Sequence, residues 1–371
     1  MNWKNFLLQK AVGLCKRAIP KNDSPKPSRI LVVATTALGD TLWITPALKN
    51  LRRSFPQSRI AVLTSPIGLD ILKHNPSVDL LFVLKEPFFF SFFPLWKTLY
   101  KEHFDTILLF HASQRLVLPL CSLLGANRFI GTAGINKGLD ALLTKALPMG
   151  FQHEIVRRLK ICEEIGAKSF VQTLSFFLQA EERLPAREFL SRAAGPWIAI
   201  HPGSKDAFKR WPAENFGEVG RQLKRRIPCE ILITGNNEER VLMEQIASQI
   251  PGAHLYETNT QLRSFAALLE QMDLLISNDT GPVHLACALG RPVVALYSST
   301  DPRLCGPHLA ENALALGKRP TCDPCLKRKC RSPFCFLQIG VDEVVEGALR
   351  LLICPNIQHI LTKEESWIEK T

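Results

Sequence analysis

The sequence predicts an α/β protein built of two doubly wound domains facing each other across a cleft. Three observations predict it. Short continuous apolar runs alternate with amphipathic stretches in both halves of the chain, the grammar of βαβ units whose strands are buried on both faces. The length of 371 residues suits two domains, at about 150 residues each. The composition, 46% hydrophobic and 22% charged, is that of a globular protein with sizeable cores, which excludes extensive disorder. A polytopic membrane protein is excluded as well. The longest nearly apolar run, 116–126, is interrupted by Pro119 and Ser122 and falls short of the ~20 residues a spanning helix needs.

Residues 1–27 read as a basic amphipathic segment followed by a linker. Trp3, Phe6, Leu7, Val12 and Leu14 lie among Lys4, Lys10, Lys16 and Arg17, and Pro20, Pro25 and Pro27 follow. A first domain spans 28–178. It opens with the apolar strand 29–34, a turn containing Gly39, a helix from Thr45-Pro46 through Arg53 and a strand at 59–64. Further strands are expected at 105–110 and 127–131. A charged, Ala-rich stretch, 179–195, reads as an interdomain linker. The second domain, 196–352, repeats the pattern with strands at 197–201, 230–235, 273–277 and 292–297. Helices are expected at 238–250 and 281–289, and a last strand–helix unit at 341–352, leaving a tail of 353–371.

The net charge of +12 is localised. Residues 1–29 hold seven basic side chains against Asp23 alone, and 318–331 hold six against Asp323 alone. The body of the chain is therefore nearly neutral. The cysteine count is an odd eleven, and Cys121, Cys162, Cys229 and Cys287 sit singly in apolar surroundings as small core residues. The apolar stretch near the N-terminus is broken by Gln9 and Lys10 with no small-residue cleavage site after it, so no signal peptide is expected and the compartment is reducing cytosol.

Ligands of doubly wound sheets bind at the carboxyl ends of the strands, and three segments sit there. Ala37-Leu-Gly-Asp40 places a carboxylate at a helix start. There it can accept a proton from a hydroxyl, or simply cap the helix. His201-Pro-Gly-Ser204 and Lys209-Arg-Trp-Pro212 offer backbone N–H groups, the Ser204 hydroxyl and the Lys209 ammonium, a set suited to a diphosphate. In isolation that segment reads more simply as a surface loop with a solvated Lys. Asp279-Thr-Gly281-Pro-Val-His284 leads into a helix, so it is an anion site with an added carboxylate for a sugar hydroxyl. His284 falls in the first turn, where it either faces the anion or packs.

Together the three segments resemble glycosyltransferase family 9, the lipopolysaccharide heptosyltransferases. The residues that carry the resemblance are Gly39-Asp40 with Thr45-Pro46-Ala47-Leu48, Pro202-Gly203 with Lys209-Arg-Trp-Pro212, and 279–286 with Gly290-Arg-Pro292. The resemblance spans about residues 29–350 in order. It implies the GT-B arrangement of two Rossmann-like domains, with the acceptor on the first and a nucleotide-sugar donor, ADP-heptose, on the second. It also implies inverting transfer to the inner core of a lipopolysaccharide precursor, with no cofactor required for catalysis. Carried over by position, Asp40 is the base, and Ser204, Lys209, Thr280, Gly281 and His284 hold the diphosphate. Asp279 holds the sugar and Glu239 meets the nucleoside, while Arg52, Arg53 and Arg115 supply acceptor-side cations. One departure is Ala34, where the family usually carries Lys or Arg six residues before the aspartate. The alternatives are a same-fold transferase with another nucleotide sugar, and a basic nucleic-acid-binding module.

That last alternative comes from Cys322, Cys325, Cys330 and Cys335, whose spacing suits a tetrahedral structural Zn2+ within the second basic island. Free or redox-active thiols are the plainer use. The cluster lacks the interleaved aromatics of a base-stacking platform, so no nucleic-acid partner is expected. Residues 87–96 pack five Phe and a Trp without period 2 or 3.6, so not every ring can be buried. Exposed rings, the basic N-terminal helix, Arg52 and Arg53 point to an anionic membrane surface and a lipid-linked acceptor. The expected place is the inner face of the cytoplasmic membrane.

Overall fold

Twelve strands form two six-stranded parallel sheets in the computed structural model, which describes residues 8–10, 12–13, 26–85, 87–193, 195–258, 261–298, 300–318 and 334–353. The chain divides into two units, residues 1–179 and 180–371. In the first, β1 (Arg29–Ala34), β2 (Arg59–Thr64), β3 (Leu80–Val83), β4 (Thr106–His111), β5 (Arg128–Thr132) and β6 (Lys145–Leu147) run in the order β3-β2-β1-β4-β5-β6. In the second, β7 (Trp197–His201), β8 (Glu230–Gly235), β9 (His254–Glu257), β10 (Leu274–Asn278), β11 (Val293–Tyr297) and β12 (Ala313–Gly317) run in the order β12-β11-β10-β7-β8-β9. Each unit is therefore doubly wound. The strand order reverses between β1 and β4 in the first and between β7 and β10 in the second, and these are the topological switch points where such sheets bind ligands.

The central strands follow from their composition. β1, β2, β4, β7, β8, β10 and β11 are almost wholly buried runs of Ile, Leu, Val and Ala. The four strands without a sequence signal, β3, β6, β9 and β12, are the outermost strands of the two sheets. They are short and only partly buried, so they need no continuous apolar run.

Two expectations change. Residues 179–195 are not a bare linker. A 3-10 turn, Glu181–Arg183, and a helix, Leu184–Leu190, belong to the second unit. Glu182 pairs with Arg263 (2.5 Å) and Arg183 with Glu270 (2.5 Å), and Phe189 lies edge-on to Tyr256 at 5.7 Å. Two of the charges that suggested a linker, Glu182 and Arg183, are spent on these pairs. The described part of the N-terminal segment is helical, and Leu8 and Val12 pack into the core of the first unit with Leu31, Leu109 and Phe129. That stretch of its apolar face is thus occupied by protein.

The Phe-rich run forms the helix Phe88–Tyr100, with Pro94 inside it. Phe92, Leu95, Trp96 and Tyr100 pack on the core of the first unit, and Trp96 Nε1 donates to Leu123 O at 3.0 Å. Phe90 and Phe93 stay 77% and 67% exposed. Among the described residues, no helix is long and apolar enough to cross a membrane. Cys322, Cys325 and Cys330 lie outside the described residues, as does the tail from 354 onward. Cys335 is buried, with Sγ 3.8 Å from Ser298 O.

Candidate active site

At the first switch point, Thr35 N donates to His111 O (3.2 Å) and Thr35 Oγ1 meets Ser113 Oγ (3.1 Å), extending the β1–β4 pairing past the strand ends. The register slips by one residue there: Val33 faces Leu109, whereas Ala34 faces His111. Such a bulge re-aims the side chain that follows it. Asp40 comes next along the rim, in the first turn of the helix Leu38–Leu42. The helix is capped at Ala37 without a side-chain hydrogen bond, so Asp40 is not its N-cap. Its carboxylate instead pairs with Arg158, Nη2 to Oδ1 at 3.3 Å.

Arg158 arrives from the helix Glu154–Glu163. Its Nη1 donates to Glu154 O (2.8 Å) and Oε2 (2.5 Å), Arg157 pairs with the same Oε2, and the guanidinium lies over the Trp43 ring. Burial holds the His111 imidazole below the usual histidine range; Asp40 opposes that shift and Arg158 and Arg157 add to it. His111, Arg157, Arg158 and Glu154 are therefore neighbours of Asp40 that no local motif announces. Their only sequence signal is position: one ends a strand, and the others open an amphipathic helix.

The three arginines expected on the acceptor side separate. Arg115 follows β4 on the rim that carries Asp40, half-buried. Arg52 and Arg53 occupy the last turn of the helix Thr45–Ser54, which has run back toward the amino ends of the strands. Arg52 donates to Ser58 O (2.8 Å) and Asp79 Oδ2 (2.6 Å), and Asp79 Oδ2 also receives Ile60 N. Arg52 is thus a clamp between a helix end and the starts of β2 and β3. Arg52 is therefore engaged away from the Asp40 rim, and Arg53 shares its turn.

In the second unit Asn278 joins the two strand ends, its Nδ2 donating to Pro202 O (2.7 Å) and its Oδ1 accepting Trp211 N (3.1 Å). Trp211 is 2% exposed and anchors the loop beside Phe216, ring centroids 5.1 Å apart. Between these anchors Lys209 Nζ pairs with Asp279 Oδ2 at 2.7 Å, Asp279 being almost fully buried and Lys209 partly exposed. Ser204 is buried, and its carbonyl accepts Arg210 Nε at 2.8 Å. The helix Gly281–Ala288 starts at Thr280 with no side-chain cap. Thr280 Oγ1 turns back to Asn278 O (3.1 Å), which leaves the N-terminus open to an anion. His284 is buried in the first turn.

Glu239 is 8% exposed and serves a capping box: Asn236 N donates to its Oε2 (3.0 Å) while Glu239 N donates to Asn236 Oδ1 (3.1 Å). A Cβ at Gly203 would stand 2.0 Å from Glu239 Oε1, so the Pro-Gly turn is glycine because this carboxylate fills the space. Burial also holds the His201 imidazole low, with Glu239 opposing the shift. Among the described residues no group of three or more His, Cys, Asp or Glu side chains could hold a metal ion.

The family model of glycosyltransferase family 9 (heptosyltransferase) matches residues 93–334, more than half the chain. The chain belongs to glycosyltransferase family 9. The match takes in Lys209 and Asp279, and Asp40 lies ahead of it. This family 9 enzyme is 26% identical over 278 residues to lipopolysaccharide heptosyltransferase 3 of Escherichia coli, covering 71% of this chain and 81% of the relative. Its fold is similar to that of the family 9 glycosyl transferase from Veillonella parvula, with a TM-score of 0.75 at 23% identity, covering 88% of this chain and 98% of the other. It is similar also to E. coli ADP-heptose lps heptosyltransferase II, with a TM-score of 0.72 at 20% identity, covering 88% and 99%.

Proposed function

We propose that this family 9 enzyme moves heptose from ADP-heptose to the inner core of a lipopolysaccharide precursor with inversion at the anomeric carbon. The relatives support the donor and acceptor classes: one is a lipopolysaccharide heptosyltransferase and another is titled for ADP-heptose. The observation that carries the chemistry is the pair of opposite charges at the two switch points, Asp40 in one unit and Lys209 in the other. Asp40 takes the proton of the acceptor hydroxyl as that oxygen bonds to the anomeric carbon. The bond from that carbon to the diphosphate breaks, and ADP leaves with the electron pair. A single displacement inverts the centre. Lys209 and the Gly281 helix N-terminus stabilise the charge on the leaving diphosphate, so the step calls for no metal. In this reading Ser204, Thr280 and His284 line the diphosphate pocket, Asp279 receives a sugar hydroxyl and Glu239 bounds the nucleoside side. Arg115 is the acceptor-side cation.

Incubation with ADP-heptose, with other nucleotide sugars and with truncated lipid acceptors tests the reading. Transfer from ADP-heptose to the lipid acceptor is expected. Transfer only from another nucleotide sugar would assign a different donor, and transfer from none would sink the enzyme mechanism as written. Cys322, Cys325, Cys330 and Cys335 are proposed as a structural zinc site that takes no part in this chemistry, to be checked by metal analysis of the purified protein.

Peripheral association with the inner face of the cytoplasmic membrane completes the proposal. Phe90, Phe93, Lys97 and Lys101 are exposed at helical spacing, pairing apolar insertion with cations, each worth about 1 kcal/mol near an anionic surface. Replacing Phe90 and Phe93 with Ser should reduce sedimentation with phosphatidylglycerol vesicles. Unchanged sedimentation would remove this helix from the interface.

A further inference from the structure

We infer that Arg158 is a positioning residue for Asp40, fixing which carboxylate oxygen meets the incoming hydroxyl; the inference rests on Asp40 being the base. The Arg158 side chain has no exposed surface, while Asp40 is 24% exposed. A guanidinium withdrawn entirely from water is costly unless its charge is answered on the spot. Glu154 answers it through Nη1 and Asp40 through Nη2. The Trp43 ring, its centroid 5.4 Å from Cζ, supports the flat face of the group. Arg157 shares Glu154 Oε2, so the cluster contains two cations and two carboxylates. Removing Asp40's charge would leave a buried positive charge unanswered.

The same contact orients the base. An aspartate carboxylate left alone turns over a broad, two-fold torsional well. Here Oδ1 meets a donor that is itself held by Glu154 at Nη1 and by the Trp43 ring on one face. Oδ2 takes no hydrogen bond from the described residues, and a quarter of the side chain remains open to solvent. The arrangement therefore presents Oδ2 in one direction and keeps it free for a hydroxyl. Arg158 touches neither substrate in this reading and acts only through Asp40.

The test is a double-mutant cycle on the full chain, with ADP-heptose as donor and a truncated lipid acceptor. Arg158→Gln should lower kcat by about ten- to a hundredfold, the scale on which about 1 Å of misplacement tells. ADP affinity, which belongs to the second unit, should not change. Arg158→Lys should recover part of the loss, because the charge returns without the fork. In an Asp40→Asn background, Arg158→Gln should cost nothing further, since residues acting as a unit are not additive. Thermal unfolding and ADP titration check that each variant folds, and if Arg158→Gln does not, Arg158→Lys enters the cycle in its place. A folded Arg158 variant with wild-type kcat, or losses that multiply with those of Asp40→Asn, overturns the inference. Wild-type turnover in Asp40→Asn alone would instead overturn the base assignment, a separate outcome.

Discussion

The two switch points carry the same kind of contact with its exposure reversed. In the first unit the cation is buried and the acid is open: Arg158 is 0% and Asp40 24% exposed. In the second the acid is buried and the cation is open: Asp279 is 8% and Lys209 22% exposed. The informative feature is which partner each unit offers to solvent. One offers a carboxylate, which suits a hydroxyl about to lose its proton. The other offers an ammonium, which suits a diphosphate about to gain charge. The buried partner holds the offered group in place.

That comparison can be broken at either end. The largest effect is expected at the first unit's open acid: Asp40→Asn should cut turnover by two or more orders of magnitude while calorimetry finds ADP bound as in wild type. Turnover within tenfold of wild type would mean that its exposure serves no proton transfer. Next comes the open cation. Lys209→Ala removes a charge-assisted contact of about 1.5–3 kcal/mol, so ADP should bind roughly ten- to a hundredfold more weakly. Turnover should fall further still, because the charge grows as the bond breaks. Asp279→Asn sharpens the contrast, since it frees Lys209 from its 2.7 Å partner. ADP should then bind at least as tightly as to wild type, while intact donor loses several-fold of its advantage over ADP. A variant that loses ADP as fully as Lys209→Ala does would make Asp279 a scaffold residue.

The smallest effect is a pH dependence that both units share. Burial holds His111 and His201 below the ordinary value of 6.5. Between each folded value and 6.5 the unfolded chain binds more protons than the folded one, so stability rises with pH across that window and is lost as pH falls through it. His111→Gln should therefore lose less of its unfolding temperature than wild type does between pH 7.5 and 5.5. Equal losses in the two proteins would take His111 out of the acid response.

The sequence was most informative where a strand is buried on both faces and where a motif is local. Asp40, Lys209 and Asp279 stand within a few residues of a strand end, so topology alone carries them to a rim. Arg158 is 118 residues from Asp40 in sequence, and a buried Arg on a helix with polar neighbours reads as surface. Arg52 and Arg53 pose a related difficulty. Their charge was legible, but nothing in the composition says that a ten-residue helix carries them away from the strand's carboxyl end. Asn278 was hidden because an amide beside an aspartate looks like loop polarity, whereas it is the tie between β7 and β10.

The collision that a methyl group at position 203 would suffer against Glu239 has a consequence for how this enzyme can change. The loop at 202–209 and the capping box at 236–239 follow different strands, yet they share one volume and so cannot vary independently. A library that diversifies residues 202–209 to accept other donors should recover active members only with glycine retained at 203, or with a smaller residue supplied at 239. Grafting the loop into another scaffold should likewise succeed only when both segments are moved together, which makes them one unit of inheritance although about thirty residues separate them.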